Sequence, residues 1–248
     1  MRGKTHCTIG VLSVIQASIL FKIPITVFSL MLSAFFSILP DLDESNSVIS
    51  DILLKKNTSK FLFKFVVYMI SLAIFFISLK LNNNFYISSI ITFISLIIIE
   101  SKLTHTLLRK IFLSLIFILL ALCLYLVKAK IYFIIFCLML SSFPWLKHRS
   151  FSHSIFAIII IYFLLKQIEL IYNISNLSFL GTISYASHMF LGDLFTKSGI
   201  PLFYPITDKK FSLGFFKVGS FFSNILEISF VLILIGGIIF SLTKNISL

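Results

Sequence analysis

The chain has 248 residues, of which 58% are hydrophobic and only 12% charged, with a formal net charge of +12. A soluble domain of this length runs about 45–50% apolar and about 25% charged, so there is too little polar surface here to cover a globule in water, and most of the chain must face lipid. The excess of positive charge sits in short connections between apolar runs, with no basic stripe of interleaved aromatics, which excludes a nucleic-acid groove and fits attraction to anionic headgroups.

Met1, Arg2, Gly3 and Lys4 make a basic start ahead of an apolar stretch, as a signal peptide does. No small-residue cleavage site follows, so the segment reads as an uncleaved first span. Nine apolar runs then succeed one another, roughly 7–21, 24–39, 61–79, 85–99, 111–127, 131–146, 153–165, 177–195 and 224–243. A full span needs about 20 residues, and several runs are shorter, notably 85–99 and 153–165. Helices are expected, because lipid offers the backbone amides no other partner. The runs also lack the alternation of a membrane barrel. The expected fold is therefore all-α, a polytopic transmembrane bundle of about 8–9 apolar helices in a single integral membrane domain over 1–248. Cys7, Cys123 and Cys137 are odd in number and form no C-x-x-C, which argues against a disulfide framework. Cys123 and Cys137 read as small core residues, and Cys7 adjoins a histidine of interest.

If every run spans, the connections alternate sides. One side then holds fifteen of the 21 lysines and arginines, and the asymmetry puts that side in the cytoplasm of a plasma (inner) membrane protein.

The chain has nine carboxylates and five histidines. Most fall in four places: His6; Asp41, Asp43 and Glu44 after Leu39-Pro40; His148 to His153; and His188 to Asp193. All four lie at the face that the basic residues assign to the cytoplasm. Alone, each has a plainer reading, as a solvated loop, an interfacial anchor or a polar helix start, and His105 belongs to no motif. Together on one face they suit a divalent metal, zinc above others, which takes imidazole nitrogen and carboxylate oxygen and lowers the pKa of bound water to about 7.

These residues resemble a known family. Leu39-Pro40-Asp41-Leu42-Asp43, then His148-Arg149-x-x-x-His153-Ser154, then Ser187-His188 followed by Asp193-x-x-Thr196-x-x-Gly199-Ile200-Pro201-Leu202 and Pro205 resemble the ordered motifs of the YdjM-like membrane-bound metal-dependent hydrolases. His6 matches the histidine near that family's start. The resemblance covers about 1–205, with an unmatched apolar insertion between roughly 61 and 140. It implies a metal site of His6, Asp41, Asp43, His148, His153, His188 and Asp193. It also implies a distant likeness to zinc-dependent phospholipase C and the S1/P1 nucleases, and hence phosphoester hydrolysis. Two departures stand out. Ser150 replaces a usual glycine, and His188 and Asp193 are separated by four residues where the family has three. Since i and i+5 do not share a face of a regular α-helix, either Gly192 permits a π-bulge or one of the two does not ligate.

The expected function is a membrane-embedded metal-dependent hydrolase that acts with metal-activated water on an ester or phosphoester of a membrane-borne, lipid-like substrate. In it Asp41 or Asp43 is a general base and Arg149 holds an anionic phosphate. The alternatives are a metal-ion transporter, whose ligands belong near the bilayer midplane, and a non-catalytic membrane protein whose metal only clamps helix ends. No H-E-x-x-H or G-x-S-x-G points to another hydrolase class.

Overall fold

The computed structural model describes residues 3–246; Met1 and Arg2 of the basic start, and residues 247–248, lie outside it. Ten α-helices follow in order: α1 Gly3–Leu20, α2 Val27–Ile38, α3 Val48–Leu53, α4 Lys56–Asn82, α5 Phe85–Lys102, α6 His105–Leu126, α7 Ile131–Ser142, α8 Ile155–Tyr172, α9 Leu177–Ser187 and α10 Phe221–Ile246. Among the described residues there is no strand, only the isolated bridges Thr196–Phe216 and Ile200–Phe211. Each of the nine apolar runs produces one helix, and α3 is an additional short turn behind the acidic cluster.

Five helices, α4, α5, α6, α8 and α10, are long and apolar enough to cross a membrane. By length and composition alone, five of the nine helices formed by the apolar runs qualify as full spans among the described residues. Helices α2, α7 and α9 stop at 12, 12 and 11 residues, or about 16–18 Å at 1.5 Å per residue, against about 30 Å of hydrocarbon. The reasons are local. Pro40 opens a 3-10 turn over Leu39–Asp43 that ends the helical run of α2. Pro144 does the same after α7. The π-turn His188–Gly192 and a 3-10 turn over Asp193–Phe195 follow α9. All three interruptions fall where the chemistry-bearing residues cluster.

Away from that end the turns are simple. Asn83 takes the left-handed conformation after α4 and the Asn84 side chain caps α5, which explains the polar break between two apolar helices. Thr26 and Ser29 form a reciprocal capping box at the start of α2.

The centre of the bundle is α1, α2, α8 and α9, with α10 laid against α1. Small residues let these helices approach, as is usual where lipid offers no hydrophobic drive between them. A Cβ on Gly10 would collide with Ser37 and come within 3.1 Å of the Ser184 hydroxyl, and one on Gly181 would press into Leu165. The Ser184 hydroxyl donates to the Ser33 carbonyl across the α2–α9 contact. Around this seam Phe36, Leu39, Leu42, Phe143, Ile161 and Tyr185 form a buried layer just beneath the interrupted helix ends. Helices α6 and α7 pair beside it. The buried Arg109 ties α6 to α3 through the Asp51 carboxylate and the Leu54 carbonyl, the latter at 2.7 Å. Helices α4 and α5 form an outlying hairpin.

Candidate metal centre

The chain's irregular turns aim its scarce polar side chains at one another. The 3-10 turn started by Pro40 carries Asp41 and Asp43 to the end of α2. The segment between α7 and α8 brings His148, Arg149 and His153 beside them. Arg149 adopts φ 58° there, a left-handed conformation that costs a non-glycine residue about 1–2 kcal/mol. That conformation turns the Arg149 backbone N–H onto the Asp43 carboxylate at 3.1 Å.

The four-residue spacing between His188 and Asp193 resolves in the π-turn, where the Asp193 N–H donates to the carbonyls of His188 and Met189. An i→i+5 hydrogen bond winds in one residue more than an α-turn, so both side chains point the same way. Gly192 is required by a close approach: a Cβ there would lie in the His6 ring.

Three layers can be distinguished. At the bottom, the His6 and His188 rings stack at 3.7 Å and 17°. The His188 Nδ1 bonds the Ser37 carbonyl at 2.7 Å, so Nδ1 carries the hydrogen. Its Nε2 faces Asp41 at 3.5 Å and Asp193 at 3.6 Å. In the middle, His153 presents Nδ1 to Asp43 at 3.3 Å and Nε2 to Asp193 at 3.2 Å. His6 Nε2 lies 3.8 Å from Asp193. On top, His148 Nδ1 meets Asp43 at 2.7 Å and its Nε2 meets Glu44 at 3.6 Å. His6, His153, His188, Asp43 and Asp193 are all buried, Asp41 is partly so, and His148 and Glu44 reach solvent.

Buried ring nitrogens ordinarily find a hydrogen-bond partner. Here His6 Nδ1, His153 Nε2 and His188 Nε2 have none. Four sets of donor atoms lie mutually within 4.8 Å: His6, His188 and Asp193; Asp41, His153 and His188; Asp43, His148 and His153; and Asp41, Glu44 and His148. The orphaned nitrogens and the shared donors fit one or more divalent cations.

The electrostatics agree. Burial pushes the Asp43 carboxyl up, but His153 and His148 overcome this and hold it far below the usual carboxylate range. Asp193 is likewise raised by burial and drawn well below its ordinary value by His153 and His188. Asp41, opposed by burial, is held at about 2 by His188 and His6. Burial lowers His153, yet Asp43 and Asp193 lift it to about 8. Against the same penalty Asp41 and Asp193 lift His188 to about 10. The carboxylates thus stay ionised and draw protons onto the imidazoles, the positions that a cation would take over.

All seven residues anticipated as ligands, and Arg149, fall in this one group. Their surroundings differ. Asp43 accepts from the Arg149 N–H, the Ser152 hydroxyl at 2.5 Å and His148, so its oxygens are taken by protein donors. Arg149 turns inward: it donates to Asp193 at 2.6 Å, Thr196 at 2.9 Å and Ser198. Glu44, part of the acidic cluster in the sequence but not of the expected ligand set, stands beside His148, and Ser152 and the Ser37 carbonyl join as site groups that were not anticipated. Glu44 adjoins Asp43 and was within reach of the sequence, whereas a backbone carbonyl leaves no sequence signal. Cys7 packs into the core and His105 opens α6, and neither belongs to a ligand grouping.

Apolar helices around a buried His/Asp cluster define a multi-pass membrane protein with a candidate metal centre at one end of its bundle. The chain matches the sequence model of the YdjM inner membrane protein over residues 1–245 and belongs to that family. The match runs through 61–140 and beyond 205, wider than the motif resemblance. No curated protein and no solved structure matches the chain.

Proposed function

We propose that the cluster is the divalent-metal centre of a membrane-embedded hydrolase that cleaves an ester or phosphoester of a membrane-borne substrate at the cytoplasmic face. The observation that carries this reading is the convergence of His6, His153 and His188 on Asp41 and Asp193, with buried ring nitrogens left without hydrogen bonds. These five residues would hold the ion, and zinc suits their donor set. When bound, it would supply Lewis-acid polarisation and a water acidic enough to ionise near neutral pH.

The chain's own residues then divide the work. Asp43 orients His153 and His148 through their Nδ1 atoms, as a carboxylate behind a ligating imidazole does. Ser37 fixes the hydrogen of His188 in the same way. Arg149 anchors Asp193. Asp41 lines the cavity above the cluster and Asp43 does not, so of these two Asp41 would be the one to accept a proton from an attacking water. That cavity is about 440 Å³, with Glu44 and His148 also in its wall. The cytoplasmic assignment takes all nine apolar runs as crossing in alternation, which gathers fifteen of the 21 basic residues on the side of the cluster. The transporter reading draws less support, because the donors gather at one end of the bundle and the sequence shows no repeated halves, whereas a cargo site belongs near the bilayer midplane at broken helices of such halves.

The test is elemental mass spectrometry of protein purified in mild detergent. Wild type is expected to hold stoichiometric zinc, manganese or iron. His153→Ala is expected to lose it, and Asp43→Ala to bind it roughly 10–100-fold more weakly, as loss of an orienting carboxylate does. A wild type that takes up no metal even on reconstitution would overturn the proposal. Hydrolysis confined to soluble nucleotides would overturn its membrane-borne part.

A further inference from the structure

The cavity over the cluster is lined by two strong cations, Arg149 and Lys210. Their situations are opposite. Arg149 is buried to 8% exposure, and its guanidinium is engaged by Asp193, Thr196, Ser198 and the Gly199 carbonyl, so its charge is already matched. Lys210 is exposed and makes no ion pair among the described residues.

Lys210 is also held in place. It precedes Phe211, whose N–H and carbonyl both bond Ile200, at 2.8 and 2.9 Å. Further on, the Leu213 N–H bonds the Leu194 carbonyl at 2.8 Å, and the Lys197 N–H bonds the Phe216 carbonyl at 2.8 Å. The Ser212 hydroxyl donates to the Thr196 carbonyl at 2.5 Å. Gly199, at φ +60°, permits this lacing, since a Cβ there would strike the Phe211 carbonyl. The segment that bears Lys210 is therefore fastened to the one that bears Asp193 and Thr196. Asn46, Ser47 and Ser198 also line the cavity and add neutral polar groups to its wall.

We propose that Lys210 is the site's anion-recognising residue, holding a phosphate-class group of the substrate between its ammonium and the metal centre, the task that the sequence assigns to Arg149. This rests on the hydrolase reading and adds the charge class of the substrate. A flexible ammonium suits the role: as a compact point charge it follows a phosphate without demanding bidentate geometry.

The test uses the full chain in detergent micelles, with and without added zinc. It is titrated with glycerol phosphate and, separately, with phosphatidic acid mixed into the micelles, binding being read by phosphorus NMR. Lys210→Ala is expected to weaken at least one ligand about tenfold or more, the size of a charge-assisted hydrogen bond. Lys210→Arg should recover most of that loss. Lys209→Ala should change nothing, since Lys209 sits over the Phe211 ring and does not line the cavity. Bound metal should be equal in all variants. Loss with phosphatidic acid alone identifies a lipid headgroup as the source, loss with glycerol phosphate alone a soluble ester, and loss with both the shared phosphate. Binding of neither ligand by wild type, or equal binding by wild type and Lys210→Ala in both arms, overturns the proposal. Weaker binding by Lys210→Ala than by wild type, where neither takes up metal, would keep Lys210 as the anion-recognising residue and sink the metal centre.

Discussion

The α4–α5 hairpin and the α1, α2, α8 and α9 bundle meet the membrane in opposite ways. The hairpin is long, regular and exposed: α4 runs for 27 residues, and Phe61, Phe65, Phe76, Ile90, Phe93 and Ile94 all face outward. Its inner seam is nearly featureless, with Ser71, Ser78 and Ser88 buried between the helices. The bundle contains two of the short helices, breaks them with a proline turn and a π-turn, and holds most of the candidate site. Irregular backbone is tolerated at membrane depth only where protein or a water-filled cavity satisfies it. The hairpin has neither, so it can only be regular. The bundle has surrounding protein and a polar-lined cavity, and its broken ends are where the cluster sits.

That contrast can be broken by measurement. The largest effect is expected at Asp193→Ala, which leaves the buried Arg149 guanidinium without its carboxylate. Removing one partner of a buried pair costs about 3–5 kcal/mol, and thermal unfolding in detergent should register it. Gly10→Val should cost about 1–3 kcal/mol by overpacking against Ser37 and Ser184. Gly236→Val in α10, where nothing lies within 4 Å, should be far milder. Comparable losses at the two glycines would mean that the close α1–α2 approach is not what holds the bundle.

Acidity sharpens the comparison next, because the titrating pairs lie in the bundle. Burial opposes the charged form of His153, but Asp43 and Asp193 raise it to about 8. In metal-free protein its contribution is complete below the unfolded value near 6.5 and is lost as pH rises through about 8. Melting should therefore fall by a few degrees between pH 6.5 and 8.5, and a bound metal should abolish the fall. Asp43, held below its ordinary range, acts with the opposite sign. Its contribution is present above its unfolded value near 4 and is lost as pH drops through the lower native one. A metal-free protein with a flat profile from pH 6.5 to 8.5 would show that these pairs do not carry stability. The smallest effect is expected in the hairpin: Ile94→Leu on α5, half-exposed, should stay within about 0.5 kcal/mol.

The same division explains what the sequence made legible. Each apolar run could be read as a helix because lipid permits little else. Its length could not, since Pro40, Pro144 and the π-turn stop α2, α7 and α9 short inside continuous apolar text. The members of the cluster were legible because histidine and aspartate are rare in such a chain. Their division of labour was not. That the Arg149 guanidinium is spent on Asp193 goes with a left-handed backbone, and Lys210 is held at the cavity by backbone bonds from 211–216 to 194–200.

The π-turn has a consequence for how such proteins are recognised. It lets a helix absorb one additional residue without changing which two side chains meet. A search pattern that demands three residues between histidine and aspartate would discard this chain, although its imidazole and carboxylate stand 3.6 Å apart. Patterns for sites on helix ends are better written in turns than in residues, with one position of slack where a glycine precedes the carboxylate.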